Sequence, residues 1–176
     1  AAMKSLPIGI VSAESSKREL ILRGLSNLAS VDGNRLKSGM LSGTDFAGLT
    51  DAASRLHDAP IFVYDVPNVN ITRLISVAKM MKRRHEIRAL FIDYVQILES
   101  TRRDEQKRLQ VGQVSLALKN LSRELDIPII VAAQLRRDTT GRRPTLADFA
   151  ESSQIEMDAD AAILLQHEKD ESGKTV

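Results

Sequence analysis

The sequence predicts an α/β fold in which a mostly parallel sheet is covered by helices on both faces. Short continuous apolar runs alternate with amphipathic stretches of helical period, which is the pattern of parallel sheets buried by crossover helices. A length of 176 residues suits one domain better than two. A hydrophobic content of 43% supports a real core and excludes a disordered or low-complexity scaffold.

Composition also excludes several classes of function. The chain has no cysteine, so disulfides, thiolate metal sites and a cysteine nucleophile are ruled out. No apolar run approaches the roughly 20 residues that span a bilayer, and no secretory signal is visible. We therefore expect a cytoplasmic protein without a membrane partner. Aromatic residues are only 3%, so any nucleic acid contact should go mainly through phosphates rather than base stacking.

The first elements of the chain are predicted to be a strand and two helices. Residues 8–11 form a short buried strand, and the capping-box spacing of Ser16 and Glu19 begins a helix. The inward positions of this helix are Ile21, Leu25 and Leu28. A second helix follows Thr44, because apolar residues spaced by three and four residues give it one apolar face. These residues are Phe46, Leu49, Ala53 and Leu56.

The remaining segments continue the alternation of strands and helices. Further strands are predicted at 61–65, 89–94, 128–133 and 161–165. Thr72 is the expected N-cap of a third helix, with Leu74, Ala78 and Met81 on its buried side. A short helix begins near Thr145. The long helix before residue 128 has a buried stripe of Val111, Val114, Leu118, Leu121 and Leu125.

Polar side chains follow the predicted strands at the points where they end. Glu14, Asp65, Asp93 and Gln134 come after the first four strands, and parallel strands bring their carboxyl ends to one edge of a sheet. That edge is where ligands bind in open α/β folds. Taken singly, each of these residues has an alternative structural interpretation, as a helix cap or as the partner of a loop backbone.

The strand that ends at Asp93 is the strongest single signal of a nucleotide site. A carboxylate at the end of a rigid apolar strand suits Mg²⁺, which keeps much of its hydration shell. Glu14 is placed to orient or deprotonate an attacking water, and Gln134 to sense a γ-phosphate. Four arginines between residues 136 and 143 are candidates for phosphate contacts, with an exposed loop kept soluble by its charge as the alternative. These are Arg136, Arg137, Arg142 and Arg143.

A phosphate-binding loop is missing from the 176 residues. Gly173, Lys174 and Thr175 match the last three positions of the motif Gly-x-x-x-x-Gly-Lys-Ser/Thr. The first glycine of the motif would fall at position 168, which is Glu168. The segment also follows an acidic run rather than a strand. It is therefore rejected as a nucleotide loop.

The order of these segments resembles the RecA-like motor domain of DnaB-type replicative DNA helicases. The stretch 10–14 is similar to the strand that carries the catalytic glutamate of that family, with Arg23 at the family's spacing in the next helix. Asp93-Tyr94 followed by Gln96 is similar to the Walker B strand. Further matches cover the helix segment 118–125, the sensor motif at 133–137 and the channel-lining segment at 148–160.

The resemblance implies a role for each candidate residue. Glu14 and Gln134 would be catalytic, Asp93 and Arg23 would bind the ATP and Mg²⁺ cofactors, and Asp93 would be the metal ligand. The arginine loop would bind DNA together with Glu151, Ser152 and Ser153. The family typically has Arg-Glu-Ser-Gly where this chain has Ala150-Glu151-Ser152-Ser153. The loss of the arginine and the glycine is expected to alter the DNA contact.

The resemblance also implies partners and a larger protein. Single-stranded DNA, further copies in a hexameric ring, a primase and a helicase loader are the expected partners. Residues 1–176 would form a single truncated RecA-like ATPase core domain, missing the Walker A strand, whose loop would lie upstream of Ala1. Two alternatives stay open at this point: another RecA-like ATPase of the recombination or clock type, and a non-catalytic module that binds DNA or partners.

Overall fold

The computed structural model describes residues 5–65, 69–93, 107–135, 143–149 and 154–166. Strands and helices alternate along the chain as predicted. A short 3₁₀ helix, Leu146–Asp148, precedes the last α-helix. The other elements, in chain order, are β1 (Ile8–Ser12), α1 (Lys17–Ala29), α2 (Gly33–Ser38), α3 (Gly43–Asp58), β2 (Ile61–Asp65), α4 (Ile71–His85), β3 (Ala89–Asp93), α5 (Lys107–Leu125), β4 (Ile129–Val131) and α6 (Gln154–Asp158).

The four strands form one parallel sheet in the order β2-β1-β3-β4. β1 lies in the centre, with Ile8 paired to Ile61 of β2 and to Ala89 of β3. Each parallel neighbour is reached by a crossover connection, and here β3 crosses over to the far side of β1 from β2. The predicted α/β fold with a parallel sheet is therefore confirmed.

α4 and α5 build the main core against one face of this sheet. Leu74 and Met81 of α4 and Leu121 of α5 are buried in one cluster with Val11 and Leu90 of the strands. The apolar positions predicted for both helices are buried, because residues three and four apart share one helix face. Gly9 lets α4 approach β1, since a Cβ at this position would lie 2.9 Å from the Met81 sulfur.

The helix starts confirm one capping prediction and correct another. Ser16 and Glu19 form the predicted capping box at the start of α1. α4 begins one residue before Thr72, and its N-cap is Asn70, whose side-chain oxygen accepts the Arg73 amide at 2.9 Å. Asparagine and threonine are both common N-caps, so sequence preference alone did not separate the two positions.

The prediction for the inward face of α3 is correct for two of its four residues, because Leu49 and Leu56 are half-buried and Leu56 lies against Gly24 of α1. Ala52 is the buried residue, whereas Ala53 is exposed and Phe46 is 59% exposed. α3 packs on α1 through Gly48 as well as through Leu56: a Cβ at Gly48 would lie 3.5 Å from the Ala29 carbonyl oxygen. A count of large apolar residues misses a contact made by glycine and alanine. Ile21 of α1 is likewise exposed rather than inward.

The predicted fifth strand at 161–165 is also not a strand. Residues 161–166 show no strand pairing in the described structure, and Ile163 and Leu165 are 89% and 84% exposed. An apolar run becomes a strand only when a neighbouring edge supplies its backbone hydrogen bonds, which sequence composition does not report. The short helix predicted near Thr145 is present as the 3₁₀ helix, while α2 was not predicted.

Candidate functional site

The carboxyl edge of the sheet brings three polar side chains into line. Ser12 is in register with Asp65 of β2 on one side and with Asp93 of β3 on the other. Register partners of a parallel sheet point to the same face, and neighbouring strands are about 4.8 Å apart. This is the face opposite α4, and its central residues Ile10 and Phe91 are only half-buried. The strand ends thus form an accessible polar edge.

Asp93 stands at this edge with its carboxylate unengaged. It is half-buried, and its backbone oxygen accepts the Ala13 amide at 3.0 Å, which fixes the end of β3 to the loop after β1. Within the described part of the chain, the side chain makes no hydrogen bond or ion pair. The carboxylate is therefore available to a ligand.

Asp65 is used differently from Asp93, although both end a strand. Its Oδ2 accepts the backbone amide of Lys17 at 2.6 Å, at the first residue of α1. The structural alternative for a strand-end carboxylate is therefore correct for Asp65. The helix that it contacts, however, follows β1 and lies 48 residues earlier in the chain.

Glu14 lies two residues beyond the end of β1, on the loop that leads into α1. It is exposed, and among the described residues its side chain has no hydrogen-bond or ion-pair partner. The Ala13 bond to Asp93 places this loop beside the end of β3. Glu14 and Asp93 are thus brought to the same edge, as the strand pattern predicted.

Gln134 follows β4 at the same edge. The Ala132 amide donates to the Ile92 oxygen at 2.9 Å, which extends the pairing with β3 by one residue, and Gln134 is exposed two residues later. Leu135 then forms an antiparallel bridge with Phe149. This bridge holds the residue before the predicted arginine loop, next to Gln134, against the residue that follows the 3₁₀ helix.

The predicted DNA-binding residues are only partly within the described structure. Arg143 is exposed near the end of the arginine loop. The buried Asp148 holds the following turn, because its Oδ2 accepts the Thr145 amide at 2.7 Å and the Thr145 hydroxyl at 2.9 Å. The others lie outside the described residues: Arg136, Arg137, Arg142, Glu151, Ser152 and Ser153. Their role in DNA binding stays a prediction.

Arg23 lies away from this group of contacts. It is exposed on α1 and lines a cleft of about 170 Å³ with Glu19 and Lys37. The pKa of Glu19 is lowered by hydrogen bonds from the Ser16 backbone and hydroxyl, with smaller contributions from the charges of Arg23 and Lys37. No contact among the described residues joins Arg23 to Asp93 or Glu14, so its part in nucleotide binding stays a prediction.

Sequence reasoning missed Ser12 and the true partner of Asp65. Ser12 is 1% exposed, and its Oγ accepts the Ser15 amide at 3.1 Å. A small polar residue at the end of a buried strand was the available signal for Ser12. The contact between Asp65 and Lys17 has no local signal, because it depends on how β2 pairs with β1.

The donor chemistry of the edge fits Mg²⁺ bound together with phosphates. Among the described residues, no three or more His, Cys, Asp or Glu side chains converge on one point that could hold a metal. A single strand-end carboxylate such as Asp93 suits an ion that takes its other ligands from water and substrate phosphates. No described helix is long and apolar enough to cross a membrane.

A parallel sheet with these groups at its carboxyl edge defines an α/β domain of the nucleotide-binding class. Residues 1–175 match the family described as DnaB-like helicase C terminal domain. The chain belongs to this family.

Named relatives and solved structures agree with this assignment. The chain is 33% identical to the replicative DNA helicase DnaB of Treponema pallidum (strain Nichols) over 98% of its length, and 33% identical to that of Mycobacterium intracellulare over 89%. It spans 39% and 28% of those two proteins.

Two solved structures each give a TM-score of 0.84 at 29% identity over 90% of this chain. One is an ATPase domain, of which 58% is covered. The other is a DnaB-like replicative helicase studied with its primase interactions, of which 40% is covered. The RecA-like fold is thereby confirmed.

Proposed function

We propose that this chain is the motor portion of a replicative DNA helicase that couples ATP hydrolysis to movement along single-stranded DNA. The observation that carries the proposal is the register of β1, which aligns Asp93 with Ser12 at the carboxyl edge and puts Glu14 on the next loop. Family membership supports the same activity. The comparisons give no support to a recombination- or clock-type ATPase or to a non-catalytic module.

Each residue at the edge has a distinct proposed role. Asp93 would hold Mg²⁺, largely through water, and the bound ion would neutralise charge that develops on the phosphates. Glu14 would accept a proton from the attacking water, since it is an exposed carboxylate on a loop bonded to β3. Arg23 would serve nucleotide binding from α1.

The path from nucleotide to DNA is proposed to run through Gln134. The amide side chain would contact the γ-phosphate, and the next residue, Leu135, is bridged to Phe149 and leads directly into the arginine loop. Arg136, Arg137, Arg142 and Arg143 would then bind DNA phosphates, with Glu151, Ser152 and Ser153 along the channel. Loss of the γ-phosphate on hydrolysis would thus be transmitted from Gln134 to the DNA through the arginine loop that follows it.

The partners are proposed on the same basis. A related solved structure describes primase interactions, which supports a primase partner for the whole protein of which this chain is a part. A hexameric ring and a helicase loader, together with a cytoplasmic location, stay predictions. The whole protein's activity belongs to this proposal, because the chain spans less than half of its named relatives.

The test is a single substitution in a longer protein that includes the phosphate-binding loop. Asp93→Ala should abolish DNA unwinding and ATP turnover, measured by strand displacement and phosphate release. Asp51→Ala is the matched control, because Asp51 is an exposed aspartate on α3 that forms an ion pair with Arg55 at 3.7 Å. Unwinding that survives Asp93→Ala at the control level would show the proposed role of Asp93 to be wrong.

A further inference from the structure

The position of Glu14 is decided by its backbone. Within the described residues its side chain has no partner, so nothing holds the carboxylate directly. Its direction therefore depends on the short loop from the end of β1 to the first residue of α1. A catalytic carboxylate must be held close to its productive geometry, and a misplacement of about 1 Å can lower a rate about a hundredfold.

Three hydrogen bonds join this loop to the strand ends on both sides of Glu14. On the amino-terminal side, the Ala13 amide donates to the Asp93 backbone oxygen at 3.0 Å. On the other side, the Ser15 amide donates to Ser12 Oγ at 3.1 Å, and the Lys17 amide donates to Asp65 Oδ2 at 2.6 Å. Only the Asp65 contact comes from a side chain on another strand.

The contact from Asp65 is additional to the local cap of α1. Ser16 already caps this helix: the Glu19 amide donates to Ser16 Oγ at 3.3 Å, and Glu19 Oε2 accepts the Ser16 amide at 3.0 Å. The helix start is thus specified by neighbouring residues. What Asp65 adds is a tether between that start and β2, which is paired to β1 through Ser12.

We propose that Asp65 is a positioning residue that sets the Glu14 loop on the sheet edge by anchoring the Lys17 amide. This inference rests on the proposed catalytic role of Glu14. Ser12 also holds the Glu14 loop, because its buried hydroxyl accepts the Ser15 amide. Asp65 and Asp93 therefore have different proposed roles at the same edge. Asp65 holds the loop, and the Asp93 carboxylate is available to a ligand.

The test compares Asp65 variants with an equivalent cap elsewhere, in a longer protein that includes the phosphate-binding loop. Asp65→Ala removes the acceptor, whereas Asp65→Asn keeps an acceptor oxygen on a side chain of the same shape. The control is Asp32→Ala at the N-cap of α2, because Asp32 Oδ1 accepts the Asn34 and Arg35 amides at 2.9 and 3.0 Å. Steady-state kcat and KM for ATP are measured for each variant.

The expected result is a kcat for Asp65→Ala that is about tenfold to a hundredfold lower, with KM changed less than about twofold. Asp65→Asn should restore most of kcat, and Asp32→Ala should leave it unchanged. Hydrogen exchange gives a readout that is independent of activity: the amides of residues 13–17 should exchange faster in Asp65→Ala than in Asp65→Asn. Equal losses of kcat in Asp65→Ala and Asp32→Ala would overturn the inference.

A Glu14→Gln variant separates failure of this inference from failure of the proposed function. If Glu14→Gln keeps normal turnover, the proposed role of Glu14 is wrong, and the positioning role falls with it. If Glu14→Gln abolishes turnover while Asp65→Ala keeps the original kcat and exchange rates, only the positioning role is wrong. Loss of turnover in Glu14→Gln with a lower kcat in Asp65→Ala supports both.

Discussion

Gly9 lies where β1 passes beneath α4, and the close approach at this point has an energetic consequence. A Cβ here would lie 2.9 Å from Met81 Sδ, 3.0 Å from Ile87 Cδ1 and 3.1 Å from Leu90 Cδ1. All three neighbours are buried in the main core, so each would have to move within packed surroundings. A residue without a side chain is therefore needed for this helix to lie on this strand.

We expect Gly9→Ala to lower the free energy of unfolding by about 1–2 kcal/mol, the lower part of the overpacking range, because the crowded atoms are side-chain ends. Gly24→Ala is the matched control, since its new Cβ would be 3.6 Å from Leu56 Cδ2, an ordinary contact. In the interior of α1 it should raise stability by about 0.5–1 kcal/mol. Urea unfolding measures both, and equal effects of the two changes would contradict the packing explanation.

At the scale of elements, α5 joins the core to the segment that follows α6. Its buried stripe packs against β3 and α4, and its Lys119 donates to Asp160 Oδ1 at 2.5 Å. Gln154 Nε2 of α6 donates to Asp158 Oδ1 at 2.9 Å within the same region. The segment around α6 is thus attached to α5 by this ion pair, and Ile155 of α6 also packs against the main core.

The ion pair between Lys119 and Asp160 predicts a dependence on pH. The hydrogen bond from Lys119, followed by its charge, lowers the pKa of Asp160 in the folded chain. Its stabilising contribution is therefore complete above the ordinary aspartate pKa of about 3.9 and is lost as the pH falls through the lowered folded value.

Lys119→Met should raise the pKa of Asp160 toward its ordinary value and remove this contribution at every pH. Carboxyl chemical shifts followed by NMR during an acid titration measure the pKa. Lys79→Met is the matched control, because Lys79 pairs with Glu124 of α5 at 2.6 Å. The Lys79→Met change should leave the pKa of Asp160 unchanged. An Asp160 pKa that is the same in Lys119→Met and in the original chain would contradict this assignment.

At the scale of the whole molecule, the 176 residues contain the groups proposed for hydrolysis and lack the sequence motif of the loop that cradles phosphates. Glu14, Asp93 and Gln134 lie at one edge, but the sequence has no glycine-rich loop and lysine to hold the β- and γ-phosphates. Positioning and electrostatic stabilisation of the phosphates both depend on such groups.

We therefore expect the 176-residue chain by itself to show no measurable ATP turnover. Phosphate release is measured with the chain alone and, as the positive control, with a longer protein that includes the phosphate-binding loop. Turnover by the short chain that disappears on Glu14→Gln would contradict this expectation, because it would show catalysis without the loop.

Local patterns determined most of the fold and the outline of the candidate site. The strands, the capping box of Ser16 and Glu19, and the buried stripes of α4 and α5 depend on neighbours within a few residues, which is the range that periodicity and capping report. The positions of Glu14, Asp93 and Gln134 at one edge followed from the rule that parallel strands end together.

Long-range pairing decided the rest. Register placed Ser12 between two aspartates. Asp65 accepts the amide of a residue 48 positions away, whereas the Asp93 side chain has no partner among the described residues, so two similar strand-end residues have different surroundings. Among the described residues, the segment 161–165 pairs with no strand, although its apolar pattern predicted one. A pattern in one segment reports how its own residues are spaced, whereas a contact depends on which other segment lies beside it.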